Sequence, residues 1–335
     1  MNSRERFLQT MNYGFPDRIP CFDEGMREET LEAWQTQGLP LGADLSQLFT
    51  IDRREEIELE MRPLPALSRW PASRAELDEL RHGLYPDDLS RLPDDWSDRL
   101  HTWKSRNHVL MLRVHRGFFL SLGVDGWERF YQVMALVMDD PGFVEEMLVI
   151  QGEFAARLAE RVLREVEIDA AIFSEPIGGN HGPLISPRMY ERFMLPCIAP
   201  ILAVLRGFGV ENIVARTYAN TRVLIPILVK AGINCLWACE TDPQAMDFPA
   251  IHKEYGRQLR LIGGIDLDVL RQSKESIRRE FDEKIAPLIG EGGYVPLADG
   301  RVREDIPFEN YCYYRQRLEE VTLSISWRAR AFMGA

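Results

Sequence analysis

Short apolar runs alternate with longer helical segments along most of this 335-residue chain, and this alternation constrains the fold more than any other feature. Each run is rich in β-branched or aromatic residues and is bounded by turn formers, which is typical of a buried strand. Nearly continuous apolar strands, each followed by a helix, indicate a parallel sheet covered on both faces. Eight such units predict an α/β fold of the (β/α)8 TIM-barrel type. The predicted strands are residues 18–24, 45–51, 108–115, 169–175, 212–218, 233–239, 259–265 and 293–299.

The helical segments are clearest after residue 125. WERFYQVMALVMD and PGFVEEMLVIQGEFAARLAERVLREV place apolar residues at i, i+3, i+4 and i+7, as an amphipathic helix requires. Ser186 and Pro187 predict an N-cap followed by proline at the first helical position, and Gly256 is expected to end a helix. Pro196 and Pro200 should break or kink the helix that contains them.

Residues 53–107 fit the alternation least well, because this stretch is polar and rich in proline. We predict that it is an irregular insertion, either a lid or a surface excursion. Apart from this insertion, residues 1–335 are expected to form a single barrel domain. Two separate domains are the alternative, since the chain is long enough for both arrangements.

The carboxyl ends of the strands are where barrel enzymes keep their active sites. Polar residues occur at all eight predicted ends, which supports a functional mouth. Strand ends always lead into polar loops, however, so half of these residues are expected to be rim only. The set comprises Asp23, Glu24, Asp52, His115, Arg116, Ser174, Glu175, Arg216, Tyr218, Glu240, Asp266 and Asp299.

The charge and cysteine content exclude several classes of protein. A net charge of −12 and a pI of about 5.1 argue against a nucleic-acid or anionic-membrane surface, although locally gathered arginines can still bind an anionic substrate. The longest apolar run, residues 194–205, has 12 residues and is too short to span a bilayer. Five scattered cysteines indicate reduced thiols in a cytoplasmic protein. Cys235 and Cys239 form a C-x3-C pair that is only a weak metal signal.

Several motifs keep a recognisable order and spacing. They are MNSRERFLQTMNYGFPDRIP at the start, DDPGFVEEML (139–148), GPLISPRMYERFMLP (182–196), ARTYANTRVLIPILVKAGIN (215–234), LIGGIDLDVL (261–270) and GGYVPLADGRVREDIPFENY (292–311). Together they resemble the uroporphyrinogen decarboxylase superfamily over nearly the whole chain except 53–107. The resemblance implies a (β/α)8 barrel, in agreement with the strand pattern.

One branch of that superfamily consists of methyltransferases that move a methyl group from a corrinoid protein to a thiol and use zinc. They carry His-x-Cys on the strand that corresponds to residues 212–218, whereas this chain has Arg216 and Tyr218 at those positions. A guanidinium carries no free lone pair for zinc, and tyrosine is a poor substitute for cysteine. The sequence therefore disfavours zinc, and we expect no metal and no cofactor.

The other branch decarboxylates uroporphyrinogen without metal or cofactor, and here the resemblance also breaks down. The arginine-rich stretch that grips the substrate in that branch reads DEGMREETLEAW, with Arg27 alone among five carboxylates. The Gly-His-Gly of the last strand has become Ala298-Asp299-Gly300, and Ser174-Glu175 replaces the aspartate expected after the fourth strand. An octa-anionic porphyrinogen would be repelled by such a mouth, so we do not expect the haem-pathway enzyme.

The residues that replace the zinc ligands predict a site that binds an anionic substrate. Residues i and i+2 of a strand share a face, so Arg216 and Tyr218 should both face the mouth, Arg216 to bind an anionic group and Tyr218 to donate a proton. Glu175 and Asp299 are candidate acid–base carboxylates, with an oxygen-rich site for a hard cation as an open possibility. The alternative is a buried ionic network in which Arg216 pairs with Glu175 or Glu240. The candidate substrate-binding residues are Arg216, His115, Arg116, His181, Glu240 and Asp266, while Asn220 is expected to cap the next helix.

Three functions remain open. The first is a cofactor-free lyase or decarboxylase acting on a small anionic substrate. The second is a methyltransferase or demethylase of a corrinoid- or folate-linked system that has dispensed with zinc and has a corrinoid protein as its partner. The third is a non-catalytic barrel that binds a ligand or a partner protein. The resemblance also implies a homodimer, since decarboxylases of this family tend to be dimers.

Overall fold

A computed structural model describes residues 1–241 and 244–333, with side chains as far as residue 323. The strands are β1 (Arg54–Ile57), β2 (Val109–His115), β3 (Ala170–Glu175), β4 (Gly178–Gly179), β5 (Gly182–Pro183), β6 (Ile213–Tyr218), β7 (Cys235–Cys239), β8 (Arg260–Ile265) and β9 (Tyr294–Ala298). The chain therefore combines helices and strands in the α/β manner that the sequence predicted.

Helices precede, follow and separate these strands. They are α1 (Ser3–Met11), α2 (Glu28–Thr36), α3 (Leu45–Leu48), α4 (Leu77–Gly83), α5 (Trp96–Lys104), α6 (Phe118–Ser121), α7 (Trp127–Asp139), α8 (Pro141–Leu163), α9 (Pro187–Gly207), α10 (Ile225–Ala231), α11 (Phe248–Tyr255), α12 (Leu267–Leu270), α13 (Lys274–Glu280), α14 (Ala286–Glu291) and α15 (Phe308–Met333). Short 3₁₀ turns occur at Arg74–Glu76, Leu89–Arg91, Arg222–Leu224 and Gly256–Gln258, and a π-helical turn at Phe281–Ile285.

The chain divides into two compact units. The central unit comprises residues 55–106 and 110–234, and the terminal unit comprises residues 1–54, 107–109 and 235–335. Each unit is formed from segments that are distant in the sequence. Two of the division points, 54/55 and 106/107, lie within two residues of the ends of the predicted insertion.

The sheet of the central unit has the strand order β1-β2-β3-β6. β2 pairs in parallel with β3, and β3 in parallel with β6, so that Arg113 lies beside Ile172 and Ser174 beside Arg216. The strands are covered by long helices, whose first turns the sequence specifies. Asp140 caps α8 by accepting the Phe143 N–H at 3.1 Å, and proline follows at the first helical position.

The terminal unit contains the strands β7-β8-β9, which are parallel. Trp237 on β7 lies beside Ile262 on β8, and both are buried. Trp34 of α2 packs on the Tyr311 ring of α15, with ring centroids 4.7 Å apart, and its indole N–H donates to the Ile306 carbonyl at 2.7 Å. Aromatic packing and a satisfied indole thus join the two ends of the chain within this unit.

Two of the eight predicted strands are wrong. Residues 18–24 form no strand. The Cys21 N–H donates a hydrogen bond to the Asp52 carboxylate at 2.8 Å and not to a neighbouring strand. Residues 45–48 form helix α3, because the Asp44 side chain accepts the Ser46 N–H at 2.9 Å and caps a helical turn. The other six predicted strands are confirmed as β2, β3, β6, β7, β8 and β9.

Residues 53–107, predicted as an insertion, contribute β1 to the sheet as well as α4 and α5. Leu80 and Trp103 of this segment are buried in the core of the central unit. Arg91 is also buried and donates to the carbonyl groups of Glu60 and Tyr85, at 3.1 and 3.2 Å. The segment is therefore packed structure rather than an exposed excursion.

The predicted helix limits agree closely with the structure. Ser186 caps α9 through a hydrogen bond from the Met189 N–H at 3.2 Å, and α11 ends at Tyr255, next to Gly256. The expected break at Pro196 or Pro200 does not occur, since α9 continues through both residues to Gly207. Among the helices of the described residues, none has the length and apolar character needed to cross a membrane.

Candidate functional site

Three polar residues share one face at the carboxyl ends of β2, β3 and β6. The strand register places Arg113 beside Ile172 and Ser174 beside Arg216, and side chains two residues apart on a strand point the same way. Arg113, Ser174 and Arg216 therefore lie on the same face of the sheet in the central unit. This face therefore carries two arginines, Arg113 and Arg216, whereas the sequence pattern had identified only Arg216.

Glu56 of β1 pairs with both arginines. The Arg216 guanidinium donates to Glu56 through two nitrogens, one of them at 3.1 Å from Oε2, and Arg113 Nε donates to the same oxygen at 2.8 Å. Arg113 also pairs with Glu58 at 3.0 Å. Arg216 is thus held in a buried ionic network, whose acid is Glu56 rather than Glu175 or Glu240.

Tyr218 follows Arg216 by two residues on β6 and is half-buried. Alternation along the strand gives it the same face as Arg216, as the sequence predicted. Asn220 comes next, and its side chain accepts the Arg222 N–H at 3.3 Å, at the start of the 3₁₀ turn that leads into α10. Asn220 therefore stabilises the turn just before this helical segment, whose N-cap is Thr221.

Arg116 lies in a pocket of about 150 Å³ at the end of β2. It forms no hydrogen bond or ion pair with any residue that the structure describes. Burial lowers the pKa of Arg116, while the nearby Glu60 partly offsets this effect. The pocket is lined by Glu58, Leu59, Met61, Arg113, His115, Arg116, Leu120 and Ser174. A half-buried guanidinium without a paired acid is the most direct anion-binding group in the central unit.

His115 is a neutral, buried side chain. Its Nδ1 accepts the Gly117 N–H at 2.9 Å, which assigns the ring proton to Nε2, and Nε2 lies 3.3 Å from the Cys197 sulfur. Burial, with a smaller effect of Arg116, lowers the pKa of His115 to about 4. The ring borders the pocket but adds no positive charge to it at neutral pH.

Glu175 follows Ser174 and therefore points to the opposite face of the sheet, toward the helices. It accepts the Phe118 N–H at 3.0 Å and the Tyr190 O–H at 3.1 Å, and only 3% of its surface is exposed. Burial raises the pKa of Glu175 to about 7, against the opposing effect of both hydrogen bonds.

His181, in contrast, is exposed in the β4–β5 hairpin.

The remaining candidates belong to the terminal unit. Asp299 is buried and accepts the backbone N–H groups of Thr241 and Leu267, at 3.1 and 3.3 Å, and burial raises its pKa to about 6. Asp266 caps α12 by accepting the Asp268 N–H at 2.8 Å. Glu240 is exposed and has a positive φ of 46°. Asp299 and Asp266 thus hold the loops after β7 and β8 in place.

The donor set does not fit the zinc site of the thiol methyltransferases. Arg216 and Tyr218 stand at the positions of its histidine and cysteine, and Arg216 is engaged by Glu56. Over the described ranges, histidine, cysteine, aspartate and glutamate nowhere form a group of three or more suited to a metal ion. Zinc chemistry therefore plays no part in the steps derived below.

Sequence reasoning missed Glu56, Arg113 and Tyr190. Arg113 had a usable signal, because a charged residue inside a buried apolar strand needs a partner. Glu56 was hidden by the interpretation of 53–107 as an insertion, and R-E-E-I begins with three charged residues in succession, without the alternation typical of a strand. Tyr190 lies on a helix, and nothing in its sequence context predicts that it contacts Glu175.

Comparisons with known proteins agree with this architecture. The family model of uroporphyrinogen decarboxylase (URO-D) matches residues 124–313, more than half of the chain. Among solved structures, a methyltransferase from Methanosarcina mazei has a TM-score of 0.58 at 16% identity and covers 96% of this chain and 99% of its own. An endo-β-1,4-xylanase of glycoside hydrolase family 10 from Gloeophyllum trabeum has a TM-score of 0.48 at 10% identity, over 93% of this chain and 99% of the xylanase. No curated protein sequence matches the chain. At this identity the likeness to the methyltransferase concerns the fold alone.

Proposed function

Because this chain belongs to the uroporphyrinogen decarboxylase family, we propose that it is an enzyme that binds a small anionic substrate in the Arg116 pocket and decarboxylates it without a cofactor. One observation carries the proposal: Arg116 has no paired acid among the described residues, whereas Arg113 and Arg216 both pair with Glu56. The anion anchor is therefore Arg116, which follows β2 and is separated by β3 from the strand of Arg216 that the sequence favoured.

The energetics of a half-buried guanidinium favour this assignment. Removing a cation from water costs several kcal/mol unless an anion or hydrogen-bond acceptors compensate for it. A substrate carboxylate can supply two such acceptors, and the planar fork of Arg116 matches its geometry. The Ser174 hydroxyl, on the same pocket wall, can donate a further hydrogen bond.

The pocket also limits the size of the substrate. Its volume of about 150 Å³ lies below the roughly 300–1,000 Å³ typical of pockets for drug-sized ligands. Leu59, Met61 and Leu120 provide apolar contacts for the carbon skeleton, and Glu58 disfavours additional negative charge. These features suit a compact acid and not a tetrapyrrole.

Decarboxylation needs a held carboxylate, a substrate carbon that can take up electrons, and a proton donor. Arg116 orients the carboxylate, the carbon–carbon bond breaks, and its electron pair remains on a substrate carbon next to a carbonyl or aromatic group as carbon dioxide leaves. We assign the proton that replaces carbon dioxide to the Tyr218 hydroxyl, which water then reprotonates. The half-buried position of Tyr218, on the face of β6 that carries Arg216, supports this role.

The test combines binding with two activity assays. Calorimetric titration with propionate should give saturable binding to the wild type and at least about tenfold weaker binding to Arg116→Gln. Arg188→Gln removes an exposed arginine of α9 and is the matched control, with unchanged affinity. Equal affinities of all three proteins would refute the Arg116 site.

Release of carbon dioxide from a panel of small 3-oxo and aromatic acids then tests the reaction, with Tyr218→Phe as the variant that should lose turnover and keep affinity. Methylcobalamin with a thiol tests the methyltransferase alternative, in which the corrinoid spectrum would change instead. Activity in the second assay alone would replace the lyase proposal. Propionate binding without activity in either assay would favour a non-catalytic ligand-binding protein.

We also propose that the extended segment before Arg27 takes the place of the missing eighth strand. Met26 forms an isolated parallel bridge with Val302, and the N–H of Val302 donates to the Gly25 carbonyl at 3.0 Å. Both contacts lie within the terminal unit and pair the segment with the residues that follow β9. Cytoplasmic location, a homodimer and a corrinoid partner stay predictions from the sequence.

A further inference from the structure

The turn that carries Arg116 is held by two backbone hydrogen bonds to buried side chains. The Gly117 N–H donates to Nδ1 of His115 at 2.9 Å, and the Phe118 N–H donates to Oε1 of Glu175 at 3.0 Å. These N–H groups open helix α6, where the helix itself offers them no acceptor. The two acceptors therefore fix the backbone on the carboxyl side of Arg116.

Gly117 brings this turn into direct contact with the end of β3. Its φ of 88° is the left-handed conformation that favours glycine. A Cβ atom at this position would lie 2.7 Å from both Glu175 Oε1 and the Ser174 carbonyl oxygen. No side chain fits between the turn and Glu175, so a displacement of the Glu175 carboxyl is transmitted to the turn.

The Glu175 carboxyl is also held by a residue of helix α9. The Tyr190 hydroxyl of α9 donates to its second oxygen at 3.1 Å, and the carboxyl is fully buried, on the face of β3 opposite to the pocket-lining Ser174. Glu175 thus has no direct route to a ligand in the pocket. Its only described polar partners are a helix hydroxyl and the backbone of the turn that carries Arg116.

We propose that Glu175 is a positioning residue, which links α9 to the His115–Phe118 turn and thereby holds the Arg116 guanidinium in the pocket. The inference rests on the proposed function, since it gives the anchor Arg116 its support. It replaces the catalytic role that the sequence suggested for Glu175, because a carboxyl buried behind the sheet cannot exchange a proton with a substrate on the other face.

Ionisation of Glu175 changes the strength of its hydrogen bond with the Phe118 N–H. The titratable groups around it are Tyr190 and Cys197 of α9 and His115 of β2, and all of them carry no charge near neutral pH. A carboxylate accepts the Phe118 N–H more strongly than a neutral carboxyl does. The same negative charge, however, would repel an anionic ligand in the pocket. Affinities are therefore best compared at about pH 6, where Glu175 is mostly neutral.

The experiment uses the full chain labelled with ¹⁵N-phenylalanine. In the wild type, the Phe118 amide resonance should shift with a midpoint near pH 7, because its acceptor titrates there. In Glu175→Gln the resonance should keep its position at all pH values, since the amide oxygen still accepts the N–H but cannot ionise. A Phe118 resonance that is identical in the wild type and in Glu175→Ala at every pH would overturn the proposed contact.

Propionate binding at about pH 6 supplies the functional readout. Glu175→Gln should bind within about threefold of the wild type, and Glu175→Ala, which leaves the Phe118 N–H without its acceptor, at least about tenfold more weakly. Asp169→Asn is the matched control: this buried carboxylate precedes β3 at its other end and accepts the Leu110 N–H at 2.9 Å. It should lose stability and keep its affinity.

The outcomes separate the two proposals. If the wild type binds propionate and Glu175→Ala binds it equally well, the positioning role is wrong and the Arg116 site survives. If the wild type binds no propionate, the proposed function fails, while the Phe118 titration still decides whether Glu175 holds the turn. A loss of affinity in Asp169→Asn equal to that in Glu175→Ala would show a general effect of destabilisation and would also overturn the positioning role.

Discussion

Arg216 forms a two-pronged ion pair with Glu56, a residue 160 positions earlier in the chain. The side chains are 6% and 14% exposed, so both charges are largely removed from water. An arginine that is already paired through two nitrogens with an internal carboxylate has less capacity to bind a substrate anion. The pair therefore stabilises the end of the sheet, which agrees with our proposal that Arg116 is the residue that binds the substrate anion.

Removal of Arg216 should cost stability rather than substrate affinity. We expect Arg216→Gln to lower the free energy of unfolding by about 3 kcal/mol, because Glu56 loses its bidentate partner. Denaturant titrations of Arg216→Gln, Glu56→Gln and the double variant should give a coupling energy of at least about 1 kcal/mol. Lys230→Gln, which breaks the exposed pair with Glu191, should change stability by less than about 1 kcal/mol. Unchanged stability with loss of propionate binding would restore Arg216 as the anchor.

Glu175 should make stability depend on pH in a predictable direction. Its pKa is raised to about 7 in the folded state, so the folded protein holds a proton that the unfolded chain releases at lower pH. Its contribution is fully present below the unfolded pKa of about 4.5 and is lost as pH rises through 7. Between these values the loss amounts to about 3 kcal/mol.

The measurement is the difference in unfolding free energy between Glu175→Gln and the wild type across this range. As pH rises from about 4.5 to about 7.5, the wild type should lose about 3 kcal/mol of unfolding free energy relative to Glu175→Gln. His115 acts in the opposite sense: its lowered pKa removes stability as pH falls from about 6.5 to about 4, and this effect is common to both proteins. A constant difference would mean that Glu175 is not buried as described.

Gly117→Ala should be much more damaging than an ordinary glycine substitution. The new Cβ would need both a left-handed backbone and space that Glu175 and the Ser174 carbonyl already occupy. Gly209→Ala separates the two effects, because Gly209 also has a positive φ, 71°, with no atom within 4 Å of the new Cβ. We expect about 1 kcal/mol for Gly209→Ala and at least about 3 kcal/mol for Gly117→Ala. Similar losses for both variants would show that the turn can move away from Glu175.

Asp299 should prove structural. Asp299→Ala leaves the N–H groups of Thr241 and Leu267 without their acceptor and is expected to cost about 2–4 kcal/mol. Asp266→Ala, which removes only a helix cap, should cost about 1 kcal/mol. Thermal unfolding gives both values, and turnover of the folded Asp299→Ala variant should stay close to that of the wild type. Complete loss of turnover with a normal melting temperature would support the catalytic role that the sequence suggested.

Local sequence predicted most of the secondary structure for a clear reason. The patterns that mark β2, β3 and β6 to β9 depend on burial of consecutive apolar residues, and the caps of α8 and α9 depend on side chains within three residues of the helix start. Where local signals competed, as at residues 45–48, the Asp44 cap overrode an apolar strand pattern. The strand β1 was missed because it begins with three successive charged residues, a composition that resembles a loop.

The sequence by itself determined the α/β class, six of the strands, the family resemblance and the replacement of the zinc ligands by Arg216 and Tyr218. The tertiary structure decided what these residues do. Pairing of Glu56 with Arg216 requires segments 160 residues apart to meet, and no local pattern encodes that encounter. The free guanidinium of Arg116 and the buried carboxyl of Glu175 likewise follow from which face of a strand each residue occupies and from what packs against it. Charge and position along a strand can be read from a sequence, but the partner that neutralises a charge exists only after the chain has folded.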